Sequence, residues 1–251
     1  MDALAALRLQ VEWGADEALD EVAPDRRSLP VPISPPPPVR QLAPSKPPAI
    51  AASTPDLSGI QSLAALNEAL ATFDGSGLRK TATNLVLAEG DPNARFVLIG
   101  DVPGPDEDRT GRPFSGAAGE YLDRMLASIG LDRTQAMLTP LLPWRPPGDR
   151  PPSEAELKAG LPFLHRQLAL VNPAFAVLFG RTAYRALTGG DVRRSRGKWT
   201  DVTVPGRELP LPVLALPTIA HIRSTGSARR DTWADLILLR LAITRLRTTP
   251  T

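Results

Sequence analysis

The chain contains no cysteine in its 251 residues. Disulfides, thiolate zinc sites and cysteine-ligated iron–sulfur clusters are therefore excluded. Histidine occurs only at His165 and His221, too few for a zinc site built on imidazoles, and no metal is expected. No apolar run reaches the roughly 18 residues that read as a spanning helix, so no membrane contact is expected. The N-terminus lacks a basic segment followed by an apolar one, and the expected location is cytoplasmic. Net charge is also scarce: 29 Lys and Arg against 27 Asp and Glu give +2. That balance does not by itself announce a nucleic-acid binder. Basic residues do cluster, at Arg193, Arg194, Arg196 and Lys198, and again at Arg223, Arg229 and Arg230. Such clusters either neutralise phosphates or sit as solvated surface.

What is present divides the chain into three parts. Residues 1–22 predict a helix, with Leu4, Leu7, Val11, Trp13 and Leu19 supplying an apolar stripe. It packs on the body of the protein or docks a partner. Residues 23–58 predict a linker: nine prolines fall between Pro30 and Pro48, and proline fixes φ and removes amide donors. A spacer is expected, with a ligand for a proline-reading protein as the other reading. Residues 59–251 predict an α/β domain. Apolar runs at 96–99, 136–138, 175–179 and 213–216 read as strands. Helical patterns at 116–129, 154–170, 181–187 and 228–246 separate them, which implies crossovers and a largely parallel sheet.

The most informative stretch is 96–120. The apolar run Phe96-Val-Leu-Ile99 ends at Gly100 and Asp101, followed by Pro103, Gly104 and the acids Asp106, Glu107 and Asp108. Then Gly111-Arg-Pro-Phe114 makes a turn before a helical pattern. Ligands of open α/β sheets bind at the carboxyl ends of strands, so a carboxylate and an aromatic ring are expected near that rim. Together they suit a planar polar ligand such as a nucleobase. Asp101 serves either as that carboxylate or as an acceptor of turn amides. The three acids read as an acidic loop.

This stretch resembles the uracil-DNA glycosylase superfamily, most closely its family 4. The likeness continues at 144–150 (Trp-Arg-Pro-Pro-Gly-Asp-Arg), 161–167, 196–199 and 229–233, in consistent order. It implies a three-layer αβα fold on a short, mainly parallel four-stranded sheet. It implies a cofactor-free, monomeric hydrolase that cleaves the N-glycosidic bond of uracil or another deaminated base in single- or double-stranded DNA, and hence a nucleoid-associated protein. It also implies site residues. Asp101 stands where a catalytic acid stabilises the oxocarbenium ion or orients water. Phe114 stacks on the extruded base, with Gly100 beside it. Arg145, Arg150, Arg223 and Arg230 are expected on DNA, with Ile222 as an apolar wedge.

Three departures from the family pattern stand out. The four cluster cysteines fall at Phe73, Ser76, Trp144 and Gly160, where packing of Phe73 and Trp144 would have to replace the cluster as a staple. Pro140 stands where an asparagine amide reads the base edge, and proline offers no donor. The catalytic histidine falls at Ala220 if aligned on the preceding strand, or at Thr218 if aligned on Arg230 and Trp233. His221 is the expected substitute after a local shift. Weakened or altered base specificity follows. The rival readings are a catalytically inactive DNA-binding protein on the same scaffold, and a module for small nucleotides.

Overall fold

The computed structural model describes residues 55–248. The helix expected at 1–22 and nearly all of the linker lie outside the described residues. Leu57, at the end of that linker, is buried in the core.

Four apolar runs make the centre of the sheet: β2 (Phe96–Gly100), β3 (Met137–Pro140), β4 (Phe175–Phe179) and β6 (Leu211–Leu216). They pair in parallel, in the order β3-β2-β4-β6. The sheet has six strands rather than the four expected. β1 (Glu89–Gly90) pairs antiparallel with β3, and β5 (Trp199–Val202) pairs antiparallel with β6. Neither could be read as a strand from sequence. A two-residue strand has no periodicity, and Trp-Thr-Asp-Val is half exposed and has no apolar run.

The strand side chains alternate between two cores, as a period of two requires. Val97, Ile99, Ala176, Leu178, Val213 and Ala215 pack to one side, under α1 (Leu63–Thr72) and α4 (Glu154–Val171). Phe96, Leu98, Leu138, Phe175, Val177, Leu214 and Leu216 pack to the other, under α3 (Gly116–Ser128), α7 (Ile219–Ser224) and α8 (Gly226–Thr248). Both faces are covered, which is why every residue of β2 and β4 is buried and why these strands read as unbroken apolar runs. The remaining helices are α2 (Pro105–Thr110), α5 (Arg181–Thr188) and α6 (Val192–Ser195).

Two segments not read as helices are helical, and both matter below. The acids 106–108 lie in α2, which Pro105 opens and Gly111 ends at φ 69°. The 219–224 segment, expected to carry the Ile222 wedge, is α7, capped by the Thr218 hydroxyl, which accepts the His221 amide at 3.4 Å.

Candidate functional site

The chain leaves β2 to form β3 on one side, then crosses to β4 on the other side of β2. The direction of winding reverses between β2 and β4, and an open α/β sheet forms its crevice at such a point. A cavity of about 360 Å³ opens there. Gly100, Pro140 and Phe179, the last residues of three neighbouring strands, line it, with Asp101 and Phe114. Asp106 and Glu107 from α2 and Thr218, Ile219, Ala220 and Arg223 from the α7 segment close the sides.

Asp101 bridges the reversal. Its Oδ1 accepts the Ala183 amide at 3.0 Å, in the first turn of α5, with further hydrogen bonds from Thr182. Gly180, the residue before α5, has no side chain to cap the helix, and Asp101 supplies the missing acceptor from another strand. Only glycine fits there: φ is 105°, and a Cβ would lie 2.4 Å from Asp101 Oδ2. Burial pushes the Asp101 carboxyl above its ordinary value, against the opposing pull of Thr182, Ala183 and the Arg181 charge. The Asp101 carboxylate thus caps a helix and also lines the cavity.

Phe114 is held in a conformation rare for its type, at φ 51°, which costs on the order of 1–3 kcal/mol. Arg133 holds it there, with Nη2 donating to the Phe114 carbonyl at 2.7 Å and Nε donating to Asp123 at 2.5 Å. Gly119 lets the same carbonyl approach, since a Cβ would sit 1.8 Å from it. The Phe114 ring meets Phe179 edge-on, centroids 5.7 Å apart at 76°. It also lies over Gly100, where a Cβ would come within 3.1 Å of the ring.

Within α2 the three acids have separate tasks. Glu107 Oε2 accepts the Gly104 amide at 3.1 Å and so caps its own helix. Asp106 lies against Gly116, where a Cβ would clash with its carboxylate at 1.9 Å. Asp108 turns away from the cavity, is 5% exposed, and anchors the 83–84 segment. Its Oδ1 accepts the Thr83 amide at 2.8 Å and the Asn84 amide at 3.2 Å, and its Oδ2 accepts the Thr83 hydroxyl at 3.0 Å.

The α7 helix corrects two expectations. Ile222 is 1% exposed and packs in the core with Ile219 and Leu236, so it is not available to wedge between bases. His221 is exposed on the helix surface and does not line the cavity, so it does not take up the position of the missing histidine. Residues three apart share a helix face, and the face turned to the cavity carries Ala220 and Arg223. Thr218 and Ala220, the two positions aligned with that histidine, both line the cavity. Of the other arginines expected on DNA, Arg145 donates to Asp149 at 2.8 Å and lies 3.8 Å from Asp108. Arg150 makes a two-pronged pair with Glu156, which closes the capping box of α4. Both make structural contacts away from the cavity, and Arg230 is exposed on α8. Phe179 and Gly180 were missed in the sequence, although a glycine ending a buried run repeats the pattern of Gly100.

The residues present do not fit an iron–sulfur cluster. Phe73 stacks on Trp144, centroids 6.2 Å apart at 23°, and meets Phe163 edge-on at 5.0 Å. The Ser76 hydroxyl accepts the Leu78 amide at 3.3 Å. At Gly160 the Leu142 side chain fills the space, with Cδ2 2.4 Å from where a Cβ would be. Three of the four positions hold packed side chains, the fourth is a glycine covered by Leu142, and none offers a thiolate.

A profile of the uracil DNA glycosylase superfamily matches residues 87–238. Three relatives are similar, each described as a type-4 uracil-DNA glycosylase. That of Sulfurisphaera tokodaii is 39% identical over 123 residues, 49% of this chain and 56% of its own. That of Archaeoglobus fulgidus is 45% identical over 106 residues, 42% of this chain and 53% of its own. That of Pyrobaculum aerophilum is 34% identical over 122 residues, 49% and 62% of the two chains. The chain thus spans between about half and three fifths of the relatives' lengths. With an αβα fold, a cavity at the strand ends and a profile match across more than half its residues, the chain belongs to the uracil DNA glycosylase superfamily.

Proposed function

We propose that the protein is a DNA base-excision glycosylase that hydrolyses the N-glycosidic bond of uracil or another deaminated base, with weakened or altered base specificity. The observation that carries this reading is the meeting of Asp101 and Phe114 on one cavity at the winding reversal. A base flipped out of DNA would lie against the Phe114 ring, which its backbone conformation presents. As the bond between C1′ and the glycosidic nitrogen (N1 of uracil, N9 of a purine) breaks, the electron pair stays with the base. The sugar becomes an oxocarbenium ion, which the ionised Asp101 carboxylate stabilises. Water then adds its oxygen to C1′, and its released proton balances the charge on the base. Pro140 offers the base edge no donor, so discrimination by hydrogen bonds is reduced.

A second reading, a catalytically inactive DNA-binding protein, is favoured by one observation: Asp101 already spends hydrogen bonds on capping α5. The test is release of base from oligonucleotides carrying uracil, hypoxanthine or xanthine, read as alkali-labile sites. Weak release is expected, falling by about 10²–10³-fold in Asp101→Asn. DNA affinity with the usual salt dependence but no release of any base would establish the second reading instead.

A further inference from the structure

We infer that Arg223 is the group that receives the negative charge of the departing base, in place of the histidine this chain lacks; the inference rests on the glycosylase reading above. The reaction leaves an electron pair on the base, delocalised onto its ring carbonyl oxygens. The cavity is poorly prepared for that charge. Its other charged walls, Asp101, Asp106 and Glu107, are acids and repel an anion. Pro140 has neither a backbone N–H nor a polar side chain. Ala220 has no polar side chain, and the Thr218 hydroxyl, which accepts the His221 amide at 3.4 Å, has only one neutral O–H to offer.

Arg223 is the one cation on the cavity wall among the described residues. Helical spacing puts it there, one turn beyond Ala220 on the same face of α7, while His221 points elsewhere. It is exposed, and among the described residues its guanidinium makes no hydrogen bond or ion pair. Its neighbours differ: Arg196 pairs with Asp231 at 3.0 Å and Arg240 donates to the Ile129 carbonyl at 2.8 Å. A guanidinium presents several N–H donors in a fixed fork and stays protonated, which suits a planar anion with more than one acceptor. The rival role is a phosphate contact beside the cavity, and the two separate by experiment.

The full chain is compared with Arg223→Gln, Arg223→Lys and, as a charge control outside the cavity, Arg229→Gln. Single-turnover release is measured from oligonucleotides carrying uracil or 5-fluorouracil, whose anion is intrinsically the more stable. Arg223→Gln is expected to slow uracil release by about 10-fold or more and 5-fluorouracil release much less, with Arg223→Lys recovering part of the loss. An equal slowing of both bases, with a salt slope shallower by about one, identifies a phosphate contact and overturns the inference; so does no slowing of either. A second measurement needs no turnover. Calorimetric binding of barbiturate, an anionic pyrimidine at neutral pH, is compared with that of uracil. Wild type is expected to prefer the anion and Arg223→Gln to lose that preference. A preference that survives the substitution, or is absent from wild type, sinks the inference. Absence of base release by wild type, with the anion preference intact, instead counts against the glycosylase reading alone.

Discussion

Asp101 and Asp108 stand seven positions apart in one acid-rich stretch, yet the fold drives them in opposite directions. Burial is the largest influence on each and pushes both carboxyls up. At Asp108 it is outweighed by the amides of Asn84 and Thr83, the Thr83 hydroxyl and the Arg145 charge, and the carboxyl falls below its ordinary value. At Asp101 the donors from Thr182 and Ala183 do not suffice, and it ends above. The less exposed residue is therefore the better satisfied one. Asp108 faces the protein and is saturated with donors; Asp101 faces a cavity and keeps an unmet demand. A carboxylate left in that state is held ready for a positive charge, which is what a reacting sugar would bring.

The contrast breaks most sharply under neutral isosteres. Asp108→Asn puts an amide where two N–H groups and a hydroxyl expect an acceptor, and it removes the ion pair with Arg145. The expected loss is about 2–3 kcal/mol, the cost of unsatisfied buried donors. Asp101→Asn keeps an acceptor for the Ala183 amide, weakens the contacts from Thr182 and removes a desolvated charge, so the loss at pH 7 should be smaller, about 1 kcal/mol or less. Urea denaturation of the two variants decides it. Equal losses would show that Asp101 is as structural as Asp108 and would weaken its place in the site.

A smaller effect is expected at the other end of the Asp101 contact. Gly180→Ala forces a side chain into φ 105° and a Cβ 2.4 Å from Asp101 Oδ2. The carboxylate must shift and loosen its hold on the α5 amides. The expected loss is about 1–2 kcal/mol, with base release reduced alongside, because the acid is displaced from its cavity-facing position. Thermal melts and the oligonucleotide assay measure the two. Stability lost with activity intact would separate the cap from the chemistry.

Much of this arrangement was legible in the sequence, and what was missed was missed for physical reasons. The four parallel strands were readable because burial on both faces makes them unbroken apolar runs. Gly100, Asp101, Phe114 and Pro140 could be placed because strand ends and turns are local features. The α2 helix was hidden by its own charges. Three successive acids look like a solvated loop, but at a helix N-terminus they favour the dipole. The α7 helix was hidden by its shortness, and with it the fact that Ile222 faces the core and Arg223 the cavity. The capping of α5 by Asp101 joins residues 82 apart. No local pattern announces such a contact, because only the order of the strands creates it.

The last and smallest effect concerns pH. The depressed Asp108 carboxyl contributes stability that is complete above the ordinary aspartate value and is lost as pH falls through its folded value. The raised Asp101 carboxyl has the opposite sign. Its contribution is complete below the ordinary value and is lost as pH rises through its folded value. In the wild-type chain the two slopes oppose one another on the acid side. Asp108→Asn should therefore flatten the fall of stability on acidification. Asp101→Asn should steepen it, because the compensating group is gone. The measurement is the denaturation midpoint of the three proteins from pH 6 down to the acid transition. Parallel curves for wild type and Asp101→Asn would mean that the Asp101 carboxyl titrates in the folded protein as it does in the unfolded chain, and its unmet demand for positive charge would then have no thermodynamic trace.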